Sequence, residues 1–418
     1  MRMTPTRRLL PGGSPADHRS GGALNDARRG RSRRACRGAT GLATAAAAFL
    51  LSGALAAVPS HAGAQVHDSE QHAFTVDTVA TGLEHPWGLR FLPNGDLLVT
   101  ERPGRLRVVR MSGDGAGTVG PSIEGVPDVW SSGQGGLLDV ELHPAFASNG
   151  VVYLSYSKPG DGGSATTAVV RGRLEGSRLA DVEEILEADA WRGSRVHFGS
   201  RLAFDGEGHL FVTVGERGEM EAAQDPSNHQ GVTLRLHDDG RVPEDNPFIG
   251  GDGAPEVWTY GNRNPQGLAI HPATGEAWVT EHGPRGGDEL NRLEPGRNYG
   301  WPEITYGTNY DGSTITDRAE APGMEQPVHH WVPSIATSGL AFYDGDAFPA
   351  WRGDAFVGGL RGVQLARVDL EGGASAGWET LLDGYARIRD VRVGPDGYVY
   401  LLIDERNAAI VRLVPADG

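Results

Sequence analysis

An all-β fold, a six-bladed β-propeller of four-stranded antiparallel sheets, is what this chain of 418 residues predicts. Three observations carry that expectation. An apolar run close to Leu-Ala-Phe, a turn containing Gly or Pro, and a second β-forming run recur together six times; two such runs around a tight turn make a hairpin. The recurrences are spaced by roughly 50 to 70 residues, as propeller blades are. Finally, 62 Gly and 26 Pro are too many turn formers for a helical protein, and 39% apolar residues are too many for a disordered one.

In chain order, residues 72–79, rich in Thr, Val and Phe, predict a first strand. Six hairpins follow. Residues 87–91 lead through Pro93-Asn94-Gly95 into 96–100, and 137–143 through Asn149-Gly150 into 151–154. Residues 201–204 lead through Asp205-Gly206 into 209–212, and 267–270 through His271-Pro272 into 276–279. The last two join 339–342 to 354–357 across Asp344-Gly345, and 391–393 to 398–401 across Pro395-Asp396-Gly397. Residues 408–413 predict a final strand. Pairing it with 72–79 in one blade would close the ring and leave only short sheet edges. Segments 191–201, 215–233, 258–267, 281–310, 329–339 and 383–390 are rich in Gly, Asn and Pro, and are expected to be loops rather than core strands. Such loops, gathered at one mouth of the channel, are where a propeller carries its chemistry.

No Pro- or Ser-rich linker divides residues 70–415, so 65–418 is expected to be one propeller domain. Residues 1–64 read as an export signal with an Arg-rich leader: the basic stretch 28–37 precedes an apolar run, 42–58, and Ala62-Gly63-Ala64 offers a small-residue cleavage site. The apolar run falls short of the ~20 residues of a membrane span, so no transmembrane span is expected in the mature form. Paired Arg28-Arg29 and Arg33-Arg34 leave a twin-arginine route open beside the general one. A periplasmic or extracellular protein follows, as a monomer or homodimer. Cys36, the single cysteine, lies in the leader, which excludes a disulfide, a thiolate metal site and a cysteine nucleophile from the remainder. Ten Arg and two Asp give the leader +8 of a total of −16, leaving −24 on the body. A body so acidic repels phosphate backbones, so no nucleic-acid partner is expected.

Four segments could carry chemistry. His197 stands beside Gly199 and Ser200 ahead of the third hairpin, where an imidazole can act as general base or simply cap the loop. Arg263 and Asn264 set a planar cation beside an amide just before Pro265, a pair suited to a carboxylate or quinone oxygen, or to stapling the turn. Residues 281–291 mix a Gly-rich backbone with hard oxygen donors, which suits calcium or an acidic surface loop. Their spacing matches no EF-hand, zinc or phosphate-loop motif. Arg387 and Arg389 alternate, so an extended backbone would point both to one face, toward a ligand or a salt-bridge partner.

Together these segments resemble the soluble quinoprotein sugar dehydrogenases, the PQQ-dependent glucose/sorbosone (aldose) dehydrogenase family. The resemblance spans about residues 75–415 and is carried by Gly133-Gln134-Gly135-Gly136-Leu137-Leu138, His197-Phe198-Gly199-Ser200-Arg201-Leu202, Gly261-Asn262-Arg263-Asn264-Pro265-Gln266-Gly267 and the stretch from Gly283 to Trp301, in that order. The family's fold is a six-bladed propeller. What the resemblance implies is the following. His197 is the general base that removes the proton of the sugar's anomeric hydroxyl, and Gln134 lines substrate and cofactor beside it. Arg263 and Asn264 contact the quinone oxygens of PQQ, Arg263 also stabilising charge there. The carbonyls of Gly283 and Pro284 hold the calcium beneath PQQ, while Glu289 and Tyr299 match a second, structural calcium. Tyr310 and Ser334 line the cofactor or sugar site, and Arg361, Arg387 and Arg389 face the PQQ carboxylates. Glu216 is placed to orient His197.

The implied reaction is oxidation of an aldose at C1 to the lactone, with hydride passing to calcium-bound PQQ and electrons then to an external acceptor, a small redox carrier or cytochrome. Val196 stands where glucose-specific relatives have aspartate, and Arg361 where lysine is common; with shorter loops, these departures point to the broader aldose branch and a tolerant sugar site. Two rival readings differ in class. A calcium-dependent lactonase-type hydrolase needs calcium held mainly by inward carboxylates and amides, and a non-catalytic exported propeller binding sugar or protein predicts that His197 and the arginines do not converge.

Overall fold

The computed structural model describes residues 65–416, and the export signal assigned to 1–64 lies outside the described residues. Within them the chain forms six antiparallel sheets, five of four strands and one of five. From axis to rim, blade 1 is Pro86–Phe91, Leu97–Glu101, Arg105–Met111 and Gly117–Ser122, and blade 2 is Leu137–Leu142, Val151–Pro159, Ala165–Glu175 and Arg178–Glu187. Blade 3 is Leu202–Phe204, His209–Val214, Val232–His237 and Val257–Tyr260, and blade 4 is Pro265–Ile270, Ala277–Glu281, Asp288–Arg292 and His329–Trp331. Blade 5 is Thr337–Phe342, Ala355–Gly359, Gln364–Glu371 and Ala374–Leu381. Blade 6 takes Ile388–Val393, Val399–Ile403 and Ala408–Pro415 from the C-terminus and Ala73–Leu83 from the N-terminus, with Val66–Asp68 outermost. The ends pair as predicted, Val76 opposite Leu413. No helix among the described residues is long and apolar enough to cross a membrane.

The recurring hairpins are the two innermost strands of each blade. Their runs are nearly continuously apolar because a blade is covered on both faces. In Leu97–Glu101, Leu97 and Val99 enter the cluster shared with blade 6, and Leu98 enters the one shared with blade 2. One such cluster fills each of the six gaps between blades. Second-strand hydroxyls stitch blades 2, 3 and 4 each to the next: Ser155 donates to the Ser200 carbonyl (2.6 Å), Thr213 to Pro265 (3.1 Å) and Thr280 to Ser338 (2.8 Å).

At the axis the first strands approach so closely that a side chain has no room. A Cβ on Gly88 would lie 2.4 Å from Asp139 Oδ1, and one on Gly339 2.6 Å from the Cα of Asp390. The centre itself is filled by charge. Arg201 Nη1 sits 2.9 Å from Asp390 and 3.5 Å from Asp139, with its guanidinium 4.0 Å from the Trp87 ring centroid. Arg392 pairs with Asp390 at 3.2 Å, and Arg90 grips Glu141 through two bonds of 2.8 and 2.6 Å. Burial alone would raise the Asp139 carboxyl, but Arg201, Arg90 and Arg392 bring it below its ordinary value.

Several expectations about loops need correcting: Val257–Tyr260, overlapping 258–267, is the fourth strand of blade 3, and the ends of 258–267, 329–339 and 383–390 already belong to the first strands of blades 4, 5 and 6. Asp288–Arg292, inside the segment 281–310, is the third strand of blade 4, and His329–Trp331 is its fourth. Both carry polar residues in a blade interior, which hides them from an apolar-run criterion. The Asp288 carboxylate finds local partners, described below, while Asn291 Oδ1, His329 Nε2 and Trp331 Nε1 are buried without one.

Candidate active site

In each blade the first strand begins, and the second ends, at the same mouth of the channel. Gln134, His197, Arg263 with Asn264, and Ser334 lie just ahead of the first strands of blades 2, 3, 4 and 5, and Arg387 and Arg389 open blade 6. Glu216, Gly283 and Arg361 follow second strands of blades 3, 4 and 5. Antiparallel order therefore delivers segments far apart in sequence to one pit.

His197, mostly buried, stands on a loop with three positive φ values in four residues: 57° at His197, 62° at Gly199 and 78° at Ser200. Left-handed backbone is unfavourable for His and Ser, so the loop is held from outside. The His197 N–H donates to Gln134 Oε1 (2.7 Å), and its Nδ1 lies 2.7 Å from Glu216 Oε2. An ionised Glu216 accepts from Nδ1–H, which leaves Nε2 with its lone pair. Burial lowers the imidazole's pKa; Glu216 opposes this, and Arg263 and Arg217 add to it. A neutral ring near pH 7 follows, as a base requires.

Facing it are donors without acceptors. Arg263 Nη1 donates to the carbonyls of His282 (3.2 Å) and Gly283 (2.9 Å), and its buried Nε has no partner. Its guanidinium lies 5.3 Å from the Trp301 ring centroid and 6.0 Å from that of Tyr310, which is 69% exposed at the rim. Asn264 accepts from Gly199 N–H (3.2 Å) and Gln266 Nε2 (3.3 Å), leaving its buried Nδ2 unpaired. Arg389 donates to Gln266 Oε1 (2.9 Å) and Asp404 (3.2 Å), its Nε is buried and unpaired, and burial lowers its pKa to about 10. Arg387 reaches Asp404 at 3.3 Å, so this carboxylate partly neutralises both arginines; Arg361 is exposed. His282 carries a buried, unpartnered Nε2; burial, then Arg263 and Arg389, hold its pKa well below the ordinary value. Such a surplus of buried donors is unusual in a folded protein and fits a planar, oxygen-rich polyanion such as PQQ.

Behind Arg263 the imbalance reverses. Glu281 accepts from Asn262 Nδ2 and the Arg263 N–H (both 2.6 Å), and Glu289 accepts from Asn291 Nδ2 (3.0 Å). The side-chain oxygens of Asn262 and Asn291 are buried without donors. Burial raises Glu281 to about 7; burial, then the charge of Glu281, raises Glu289 well above its ordinary value. Glu281, Gly283, Glu289 and Tyr299 line one small cavity. Carboxylate and amide oxygens converging without a cation fit a calcium ion. Gly283 makes the turn possible, since a Cβ there would lie 2.3 Å from the Gly286 and Gly287 carbonyls; Pro284 follows in that turn.

Two of the expected contacts are engaged elsewhere. The Tyr299 hydroxyl donates to the Arg292 carbonyl (2.5 Å) and accepts from Glu294 N–H (2.9 Å), so it is not free to meet a metal ion. Ser334 Oγ donates to Asp288 (2.8 Å), which also accepts from Gly283 N–H (2.9 Å), so Ser334 braces the 283–288 turn. Sequence reasoning missed His282, Gln266 and Asp404. The first two lie inside motifs that were read for their neighbours, whereas Asp404 has no motif and is brought in by the fold alone. Elsewhere, Asp205, Glu207 and His209 cluster on the third hairpin, but Arg235 sits 3.1 Å from His209 Nδ1, where a metal ion would be repelled.

A six-bladed ring thus brings donor-rich and acceptor-rich pockets to one mouth. The chain belongs to the glucose/sorbosone dehydrogenase family, matching it over residues 83–412. It is 45% identical over 347 residues to aldose sugar dehydrogenase YliI of Escherichia coli, covering 81% of this chain and 92% of that one. A crystal structure of a glucose dehydrogenase superposes with a TM-score of 0.78 at 49% identity, over 81% of this chain and 99% of that one. The PQQ-bound aldose sugar dehydrogenase of Streptomyces coelicolor superposes with a TM-score of 0.65 at 31% identity, over 82% and 98%.

Proposed function

We propose that this protein is an exported quinoprotein that oxidises aldoses at C1 to the lactone, with His197 as general base. The observation that carries the reading is the Glu216–His197 pair, 2.7 Å apart, set beside buried donors that lack acceptors. Bound in the pit, PQQ would accept the hydride, and calcium would act as a Lewis acid on the quinone. Arg389, Arg387 and Arg361 would face its carboxylates, and Arg263 and Asn264 its quinone oxygens. The carbonyls of Gly283 and Pro284 would hold that calcium, and Glu289, the Tyr299 carbonyl and the neighbouring Glu281 would supply oxygens for a second, structural calcium.

The remaining chemistry belongs to the chain. His197 Nε2 takes the proton of the C1 hydroxyl, and Glu216 stabilises the imidazolium that forms. Arg263, already fixed on two carbonyls, needs no reorganisation to stabilise negative charge, which is what makes a preorganised donor effective. Gln134, its Oε1 occupied by the His197 N–H, keeps its Nε2 for a ligand. Trp301 and Tyr310 offer aromatic walls. Convergence of His197 with the arginines counts against a non-catalytic binding propeller. The carboxylate–amide cluster would also serve a lactonase, so lactone hydrolysis without PQQ is the assay for that rival. Export rests on the leader, residues 1–64.

The test is reconstitution: purified protein, PQQ and calcium, an aldose, and a redox dye as external acceptor. Dye reduction that needs both additions and is prevented by EDTA is expected. Absence of any PQQ-dependent oxidation across a panel of aldoses would overturn the proposal.

A further inference from the structure

The residue after Glu216 is a fully buried cation with no role so far. Arg217 is 0% exposed, yet its hydrogen bonds go only to main-chain carbonyls: Val196, Ser194 (3.0 Å) and Ala165 (3.2 Å). Its guanidinium lies 3.5 Å from the centroid of the Phe198 ring, and its Nε has no partner. Burying an arginine against neutral carbonyls is unfavourable, so its persistence points to something that those carbonyls must do.

The bonded carbonyls identify it. Val196 C=O and His197 N–H belong to one peptide group. Arg217 holds the carbonyl end and Gln134 Oε1 the N–H end, at 2.7 Å. Rotation of that peptide about its neighbours is thereby blocked. It is also the peptide whose rotation would relax His197 from its φ of 57°. Phe198, on the other side of the base, is pinned under the same guanidinium and against Trp130, Trp87 and Leu138. Arg217 itself has a φ of 62°, which turns its side chain back across the loop while Glu216 meets the ring. One dipeptide therefore grips the base twice, by imidazole and by backbone.

We infer that Arg217 is a positioning residue that fixes the backbone of His197 through the Val196–His197 peptide, and so aims Nε2 at the substrate. This rests on the reading of His197 as the base. Lysine cannot replace it fully, because a point donor does not span three carbonyls as a planar fork does.

The experiment compares Arg217→Met, which keeps the packing on Phe198, and Arg217→Lys with the unaltered chain, in two arms. Without cofactor, amide hydrogen exchange at residues 195–199 is expected to quicken by about tenfold in Arg217→Met while strand amides of blade 3 stay unchanged. With PQQ and calcium bound, kcat is expected to fall by about 100-fold, with the KM for aldose within about threefold and part of the loss recovered in Arg217→Lys. The acid limb of the kcat/KM profile should also move to higher pH. The charged and titratable groups facing the imidazole are Glu216, Arg217, Arg263 and His282, and the variant removes one cation from them. Unchanged exchange together with unchanged kcat overturns the inference, as does a rise in KM alone. Should Arg217→Met not fold, the exchange arm on Arg217→Lys decides. If the unaltered protein shows no PQQ-dependent oxidation, the functional reading falls while the exchange arm still judges Arg217.

Discussion

Two buried sets of charge meet on the first strand of blade 6, and they are built on opposite plans. Asp390 and Arg392 point into the axial cluster, where Arg90, Arg201 and Arg392 face Asp139, Glu141 and Asp390, three cations to three anions. Arg392 Nη2 and Asp390 Oδ1 make no well-aligned hydrogen bond there, but both lie within ion-pair distance of opposite charge. Arg389, one residue away, belongs to the pit, where donors on Arg263, Asn264 and Arg389 lack acceptors and oxygens on Asn262 and Asn291 lack donors. The comparison separates structure from function. Charge that satisfies itself closes a ring; unpaired donors and acceptors converging on one cleft suit a charged ligand.

The largest expected effect tests the self-satisfied half. Arg201→Met removes the fully buried cation between Asp139 and Asp390, leaving them with Arg392 and Arg90 alone, and should destabilise the protein by about 3–5 kcal/mol in chemical denaturation. A loss under about 1 kcal/mol would show that the axial charges are spectators. His197→Ala makes the converse prediction for the open half. It should lower kcat by about 1,000-fold and move the denaturation midpoint little, since Ala keeps the same left-handed backbone and Glu216 retains the Gly218 N–H as a partner. Retention of most of the dye-reducing activity would remove His197 as the base.

Arg389→Met sharpens the boundary between the two sets. Losing one charge-assisted contact should weaken PQQ binding by about 10- to 100-fold, measured by titrating the cofactor into metal-loaded protein. Stability should suffer less than in Arg201→Met, because Asp404 keeps Arg387 (3.3 Å) and His85 (2.9 Å). Equal stability losses in the two variants would erase the distinction.

The same contrast explains what could be read from the chain. Inner hairpins such as 97–101 were legible because packing on both faces imposes apolar runs, and packing is written residue by residue. The rim and third strands were not: Asp288–Arg292 is a strand held by neighbours, with polar side chains satisfied by Ser334 and Asn291 rather than buried for their apolarity. In the pit, His197, Arg263 and Gly283 were legible through their Gly- and Pro-marked surroundings. Asp404 and Gln266 were not, since their roles arise from three-dimensional neighbours. Tyr299 was assigned to metal without a way to foresee that its hydroxyl is spent on Arg292 and Glu294.

A smaller effect, and one that tests the acceptor half alone, is the pH dependence of calcium stabilisation. Burial raises Glu281 to about 7, above its unfolded value, so the folded metal-free protein binds more protons than the unfolded chain as pH falls. The strain of the buried charge is thus full above pH 7 and is relieved on acidification toward the unfolded value. Calcium competes with those protons. At a fixed calcium concentration equal to 100 times the Kd at pH 8 it should stabilise by about 2.7 kcal/mol there, and by less at pH 5.5, where proton competition raises the apparent Kd. Thermal unfolding with calcium and with EDTA at both pH values measures it. Glu289→Gln should diminish the increment at pH 8, where Glu289 is called on as an anion, more than at pH 5.5, toward which burial and the charge of Glu281 favour its protonated form. An increment that grows on acidification, or that survives Glu289→Gln intact at pH 8, would place the ion somewhere other than among these oxygens.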